Sequence, residues 1–197
     1  MSSNSPYVGE PTDKWYQVTA SLVKDHPLSS EFLVKVVLSA WEDIFHSRIG
    51  KEKYQIGQHI FPKPQILGFF LHELIPLKIE HQLPGEWVRE RSSRDKDLIF
   101  LADDRYSIEI KTSSQKSIFG NRSFAQETSK SKKSKSGYYL AINFEKCEEN
   151  IPKPRILRIR FGWLDQSDWT GQKAQSGQQA RLSPDIERNK LIDLYSI

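Results

Sequence analysis

The chain has 197 residues, of which 27% are charged and 37% hydrophobic, with a net charge of +4 and a pI of about 9.0; this predicts one globular domain over residues 1–197. Its longest apolar run, Ile66 to Leu71, is too short to cross a bilayer, and the first residues lack the basic and apolar regions of a signal peptide. A single cysteine, Cys147, excludes an internal disulfide and a thiolate metal cluster, so we expect a cytoplasmic protein that is not bound to a membrane.

Three segments in the first part of the chain have apolar residues at helical spacing. The first covers residues 13–24 and belongs to an expected N-terminal helical arm over residues 1–27. The second covers residues 31–48. A third begins at Pro64, a residue well suited to a first helical turn, and we expect Pro76 to interrupt it because proline cannot donate the helical hydrogen bond.

Beyond residue 85 the chain changes to short runs that are typical of β-strands. The expected strands are 86–90, 97–101, 106–112, 138–144 and 155–163. The polar stretches 113–137 and 164–184 are expected to be loops, the first with at most a short helix near residues 123–129. Residues 190–195 fit either a strand or a helix. Helices followed by a sheet predict an α/β (α+β) protein.

Residues 97–112 are predicted to form a β-hairpin around a polar turn at residues 103–105. If the turn is centred there, Asp97 falls opposite one of the residues 109–111, so every register brings carboxylates together. The two-residue period of a strand places Glu109 and Lys111 on one face and the alternating isoleucines in the core.

Two carboxylates beside a lysine on apolar strands are costly to bury unless their charge is compensated. A hard divalent cation with oxygen ligands would compensate it, and Mg²⁺ fits best. Such a cation acidifies a bound water and neutralises charge that develops at phosphorus, while the lysine orients the attacking water. The alternative is a hairpin on which Asp97, Glu109 and Lys111 form a surface salt bridge, and the bare pattern does not separate the two.

Asp97, eleven intervening residues and then Glu109-Ile110-Lys111 resemble the PD-(D/E)XK nuclease signature, with Lys96 in place of the proline. Residues 118–126 and 161–181 are similar to segments of type II restriction endonucleases, most nearly those of the ScaI-like family. These later segments are more specific than the short signature, and the likeness extends from about residue 28 to the C-terminus.

The resemblance implies a restriction-endonuclease-like fold, with a mixed central β-sheet flanked by helices. It further implies a Mg²⁺-dependent endonuclease that cuts double-stranded DNA at a short, palindromic site, as a homodimer with a cognate DNA methyltransferase in the same restriction system. Carried over by residue, Asp97 and Glu109 would ligate metal together with the carbonyl of Ile110, and Lys111 would serve the attacking water. Glu73 is either the helical acidic residue that many such enzymes place near the site or a solvated residue paired with a base.

The histidines lack metal-ligand spacing, and we expect surface or packing roles for His46, His72 and His81. Side chains with paired donors and acceptors for base edges cluster in two polar segments. The first segment contains Asn121, Arg122, Ser123 and Gln126. The second contains Gln172, Lys173, Gln175, Gln178, Gln179 and Arg181. A solvated Ser/Lys segment between them would hold phosphates through Lys130, Lys132, Lys133 and Lys135.

Two other functions remain open at this point. A structure- or damage-directed nuclease, such as a junction resolvase, would use the same metal site but recognise DNA shape. A DNA-binding protein without catalysis would keep the acidic hairpin as a structural feature. Discrete cutting of linear duplex DNA, dependent on Mg²⁺ and on Glu109, distinguishes a restriction endonuclease from both.

Overall fold

Helices precede a β-sheet along the chain in the computed structural model, which describes residues 5–126, 134–172 and 178–197. The α-helices of these residues are α1 (Trp15–Lys24), α2 (Ser30–His46), α3 (Pro64–Gln82) and α4 (Pro184–Lys190). The strands are β1 (Trp87–Arg89), β2 (Leu98–Phe100), β3 (Ile108–Ser113), β4 (Phe119–Asn121), β5 (Gly137–Phe144), β6 (Ile156–Leu164), β7 (Thr170–Gly171), β8 (Gln179–Arg181) and β9 (Ile192–Ser196). No helix among them is long and apolar enough to cross a membrane.

The central sheet has six strands in the order β1-β2-β3-β5-β6-β9. Strands β3 and β5 are parallel, whereas the other neighbours are antiparallel. The structure thus confirms the expected mixed sheet with flanking helices. Residues 190–195, which by sequence fitted either a strand or a helix, mostly belong to strand β9.

The expectation that Pro76 would interrupt the third helix is wrong, because α3 continues from Pro64 to Gln82 with Pro76 inside it. Proline costs roughly 3 kcal/mol in a helix interior. The neighbouring Ile75 and Ile79 are fully buried, and complete burial of such a side chain contributes roughly 1.5–3 kcal/mol. Packing on both sides of the proline therefore offsets the lost hydrogen bond.

Two apolar cores cover the two faces of the central sheet. On one face Ile108 and Ile110 are fully buried in a core that includes residues of α2 and α3. On the other face Tyr139 and Ala141 pack with Ile118, Phe124, Trp169, Ala180 and Leu182.

The second core corrects the expectation that residues 113–137 and 164–184 form loops. Strand β4 pairs with β8, and β8 pairs with β7, in a separate three-stranded sheet. A short 3₁₀ helix (Arg122–Ala125) follows β4, slightly before the expected position. These polar segments can pack on the sheet because several of their few apolar residues, Ile118, Phe124, Trp169, Ala180 and Leu182, share the same small core.

Candidate active site

The β2–β3 hairpin has the predicted register. Leu98 lies opposite Ile108, and Asp97 directly precedes β2. The Oδ2 atom of Asp97 accepts a hydrogen bond of 2.6 Å from the backbone N–H of Ile110. This bond fixes the Asp97 carboxylate beside the strand that carries Glu109 and Lys111. The turn itself is longer than expected and contains a 3₁₀ helix (Asp104–Tyr106).

Glu109 and Lys111 form a close, shielded ion pair. The Nζ atom of Lys111 lies 2.6 Å from Oε1 of Glu109 and donates a second hydrogen bond of 3.1 Å to the carbonyl of Ile110. The side chains of Lys111 and Glu109 are only 12% and 4% exposed, respectively, which excludes an ordinary surface salt bridge. Little water screens the pair, so its two charges attract each other strongly.

Tyr139 of the adjacent parallel strand lies beside Glu109 in register. Burial raises the pKa of the Tyr139 phenol well above its ordinary value, and the negative charge of Glu109 raises that pKa further. The phenol is therefore a neutral hydrogen-bond donor, and its O–H donates to the carbonyl of Lys135 at 2.5 Å. This contact attaches the described end of the Ser/Lys segment to the strand beside the site.

A cleft of about 420 Å³ opens beside Asp97, and helix α3 forms one wall. Glu73 lines this cleft, so the structure brings it to the same cavity as Asp97. His72, for which the sequence predicts a surface or packing role, also lines the cleft, and its Nδ1 atom lies 3.6 Å from Oδ2 of Asp97. Gly68, one helical turn earlier, allows this approach: a Cβ atom there would lie 2.5 Å from Oγ1 of Thr112 on β3.

Glu90 also lines the cleft and was not predicted. It follows β1, and its backbone N–H donates to the carbonyl of Asp97 at 3.3 Å. The sequence contained the signal for it, since pairing the predicted strand 86–90 with the strand after Asp97 places residue 90 opposite residue 97.

The donor atoms of the site are suited to a hard divalent cation. Among residues 5–126, 134–172 and 178–197, no group of three or more His, Cys, Asp or Glu side chains could hold a metal. The ligands expected from the sequence, the carboxylates of Asp97 and Glu109 with the carbonyl of Ile110, offer only oxygen atoms, which are the donors that a hard cation such as Mg²⁺ prefers.

The two predicted DNA-reading segments come together in the small sheet. Asn121 lies opposite Gln179, and the backbone N–H of Arg122 donates to the carbonyl of Gln178 at 2.7 Å. Asn121 and Gln179 line a second cleft of about 350 Å³, which His72 also lines. Two of the DNA-reading candidates therefore line a cleft that meets the Asp97 cleft at His72.

The other predicted contact residues are only partly described. Ser123 and Gln126 belong to the turn around the 3₁₀ helix after β4, Gln172 bonds Gln179 of β8, and Arg181 ends β8. Lys135 is half-buried, with its Nζ atom 4.1 Å from the ring centre of Phe124, rather than fully solvated as expected. The predicted contacts that lie outside the described residues are Lys130, Lys132, Lys133, Lys173 and Gln175.

Comparison with known proteins gives one consistent result. The family model of the ScaI restriction endonuclease matches residues 5–195. The chain is 46% identical to the type II restriction enzyme ScaI of Streptomyces caespitosus over 198 residues, which cover 99% of this chain and 86% of that protein. No solved structure matches the chain.

Proposed function

Since the chain belongs to the ScaI restriction endonuclease family, we propose that it cuts double-stranded DNA at a short palindromic site with Mg²⁺, using Asp97, Glu109 and Lys111. Family membership makes the protein a type II restriction endonuclease, a hydrolase that cleaves DNA at specific sites and belongs to a class with a divalent metal cofactor. The observation that supports these three residues is the hairpin geometry, in which Asp97 bonds the backbone between Glu109 and Lys111.

Asp97, Glu109 and the carbonyl of Ile110 would hold the metal ion. When bound, Mg²⁺ lowers the pKa of a coordinated water and offsets the negative charge that develops at phosphorus. Asp97 is already oriented by the N–H of Ile110, so little reorganisation is needed on binding. Glu109 would serve both as ligand and as the group that holds the ammonium of Lys111.

Lys111 would orient the attacking water and balance the added charge of the phosphate. Its ammonium donates to Glu109 and to the carbonyl of Ile110, two of the proposed metal ligands. It would therefore be close enough to hydrogen-bond a water at the edge of the metal site. Glu73 would supply the helical acidic residue of the active site from α3, which forms the opposite wall of the cleft. His72 of the same helix would contact the Asp97 carboxylate.

A direct test is to incubate the protein with phage DNA, with and without Mg²⁺, and to sequence the fragment ends. A restriction endonuclease gives discrete ends at one sequence in linear duplex. Cutting confined to branched or damaged DNA would favour the structure-directed nuclease, and binding without cutting would favour the non-catalytic protein.

We further propose that two copies act together, because a chain of 197 residues covers only part of a duplex site. A two-fold axis would let each copy read one half of a palindrome. Host DNA carries the same sequence, so a cognate DNA methyltransferase would protect it. The nuclease would act in the cytoplasm, where its DNA substrate is found.

Sequence would be read mainly by residues 120–126 and 170–181. Replacement by alanine should cost roughly 1–3 kcal/mol of binding free energy to the cognate site wherever a paired contact to a base is lost, with much less loss on random DNA. Binding titrations in Ca²⁺ with both DNAs would measure this for Arg122, Gln126, Gln175, Gln179 and Arg181. The control is Gln58→Ala, at an exposed position outside both clefts. If all five variants still distinguished cognate from random DNA fully, and a monomer gave an asymmetric footprint, both the proposed DNA-reading segments and the proposed dimer would be contradicted.

The Ser/Lys segment would contribute affinity without specificity. Changing Lys130, Lys132, Lys133 and Lys135 to Gln should weaken binding to specific and random DNA alike. Each lost phosphate contact should lower the slope of log K against log salt by roughly 0.9, as measured by titrations across a salt series. The matched control changes four exposed lysines outside both clefts, Lys51, Lys53, Lys146 and Lys153. An unchanged slope in the first variant would show that the segment does not contact phosphate.

A further inference from the structure

Phe124 is a buried aromatic residue that joins the DNA-reading segment to the candidate catalytic lysine. It lies in the 3₁₀ helix after β4 and is 5% exposed. The Nζ atom of Lys111 lies 4.6 Å from the centre of its ring. The ring also packs edge-on against Trp169, with the centroids 5.2 Å apart, so it is held from a second side.

A lysine ammonium close to an aromatic ring is attracted to the negative face of the ring, most strongly where water is excluded. Lys111 is 12% exposed and has a carboxylate partner in Glu109. Its ammonium also donates to the carbonyl of Ile110, and both of these acceptors lie on β3. The ring adds a third constraint from outside the strand, so that β3 and Phe124 together restrict the ammonium to one region.

Phe124 is also fixed to the small sheet. A Cβ atom at Gly120 of β4 would lie 2.9 Å from the Phe124 ring, so the ring rests directly on that strand. Arg122, two residues earlier, is bonded through its N–H to Gln178 beside β8. A displacement of β4 and β8 would therefore carry the ring with it and change its distance from Lys111.

We propose that Phe124 is a positioning residue, which holds the Lys111 ammonium by a cation–π contact and links its position to the strands that contact DNA. The proposal rests on the proposed catalytic role of Lys111. Its consequence is that the chemical step depends on the electrostatic character of the Phe124 ring, while DNA binding does not.

The test is to replace Phe124 in the full-length protein by 4-fluoro- and then 3,4,5-trifluorophenylalanine, which weaken the negative ring face with little change of shape. Single-turnover cleavage of cognate DNA in saturating Mg²⁺ should slow stepwise, by about threefold to thirtyfold in total. The dissociation constant for cognate DNA in Ca²⁺ should stay unchanged. A rate that does not vary along the series overturns the proposal.

Three further variants assign the effect. The same series at Phe161, a fully buried ring in the other core, should leave the rate unchanged, and an equal slowing there would overturn the proposal. Lys135 lies 4.1 Å from the Phe124 ring, so the series is repeated with Lys135→Gln. If cleavage still slows along the series in the Lys135→Gln variant, Lys111 is supported as the cation that the ring holds. If the slowing disappears, the ring acts on Lys135 and the proposal is overturned. Normal cleavage by Lys111→Gln would instead refute the catalytic assignment itself.

Discussion

Asp97→Asn and Glu109→Gln should each reduce cleavage of cognate DNA at least ~1000-fold, which corresponds to about 4 kcal/mol of activation free energy. Each change removes the charge of a carboxylate that we propose as a metal ligand, while nearly preserving the shape of the side chain. Asparagine can no longer offer Mg²⁺ a carboxylate, and glutamine at position 109 loses both the metal ligand and the charge that holds Lys111. The measurement is the single-turnover rate on the cognate duplex in Mg²⁺.

Binding to the same DNA in Ca²⁺ should be largely retained, because calcium accepts oxygen ligands and the residues proposed to read DNA are untouched. Asp103→Asn is the matched control, since Asp103 lies on the same hairpin and bonds Arg105 outside the Asp97 cleft. That variant should cleave normally. Near-normal cleavage by either Asp97→Asn or Glu109→Gln would show that the hairpin is not part of the active site.

The hairpin could be predicted because all its information is local. The period of two in β3 places Ile108 and Ile110 in the core and Glu109 on the opposite face, whatever the rest of the chain does. A turn near residue 103 leaves a choice of adjacent registers, and each of them places Asp97 opposite one of the residues 109–111. Local alternation and turn position were therefore sufficient to bring Asp97, Glu109 and Lys111 together, whereas their catalytic roles were proposed only from the resemblance to the PD-(D/E)XK signature.

The small sheet and the α3 wall depend on contacts that local patterns do not contain. Asn121 of β4 lies opposite Gln179 of β8, although strands β5, β6 and β7 come between them along the chain. The few apolar residues of these two short strands show no period from which the pairing could be read. His72 reaches Asp97 because Gly68 lets α3 pack closely on β3. Helix periodicity shows which residues of α3 are apolar, but it does not show which strand the helix will approach.

Arg160 is a second feature that local patterns do not explain, since it is a fully buried charge in the apolar strand β6. Its guanidinium donates to Oε2 of Glu187 on α4 at 2.7 Å and to Oδ1 of Asn143 on β5 at 3.1 Å. Glu187 Oε1 accepts from the N–H of Ile118, and the amide of Asn143 donates to the carbonyl of Gln115. The network therefore anchors the chain between β3 and β4.

Arg160→Met should lower the free energy of unfolding by about 3–5 kcal/mol, because it leaves the Glu187 carboxylate buried without its cation. Urea unfolding at neutral pH measures the loss. Arg160→Lys should lose less, since it keeps the charge but cannot bond Glu187 and Asn143 together. The double change Arg160→Met with Glu187→Leu should recover part of the loss, because no buried charge then remains unpaired.

Arg155→Met provides the comparison within the same chain. Arg155 pairs with Glu145 at 2.6 Å, but its side chain is 65% exposed, so loss of this pair should lower the free energy of unfolding far less than Arg160→Met does. The two ion pairs have nearly equal lengths and differ mainly in burial, hence the predicted difference comes from desolvation. If Arg160→Met were as mild as Arg155→Met, the Glu187 charge would have to be compensated by other groups. The anchoring of Ile118 and Gln115 would then not depend on Arg160.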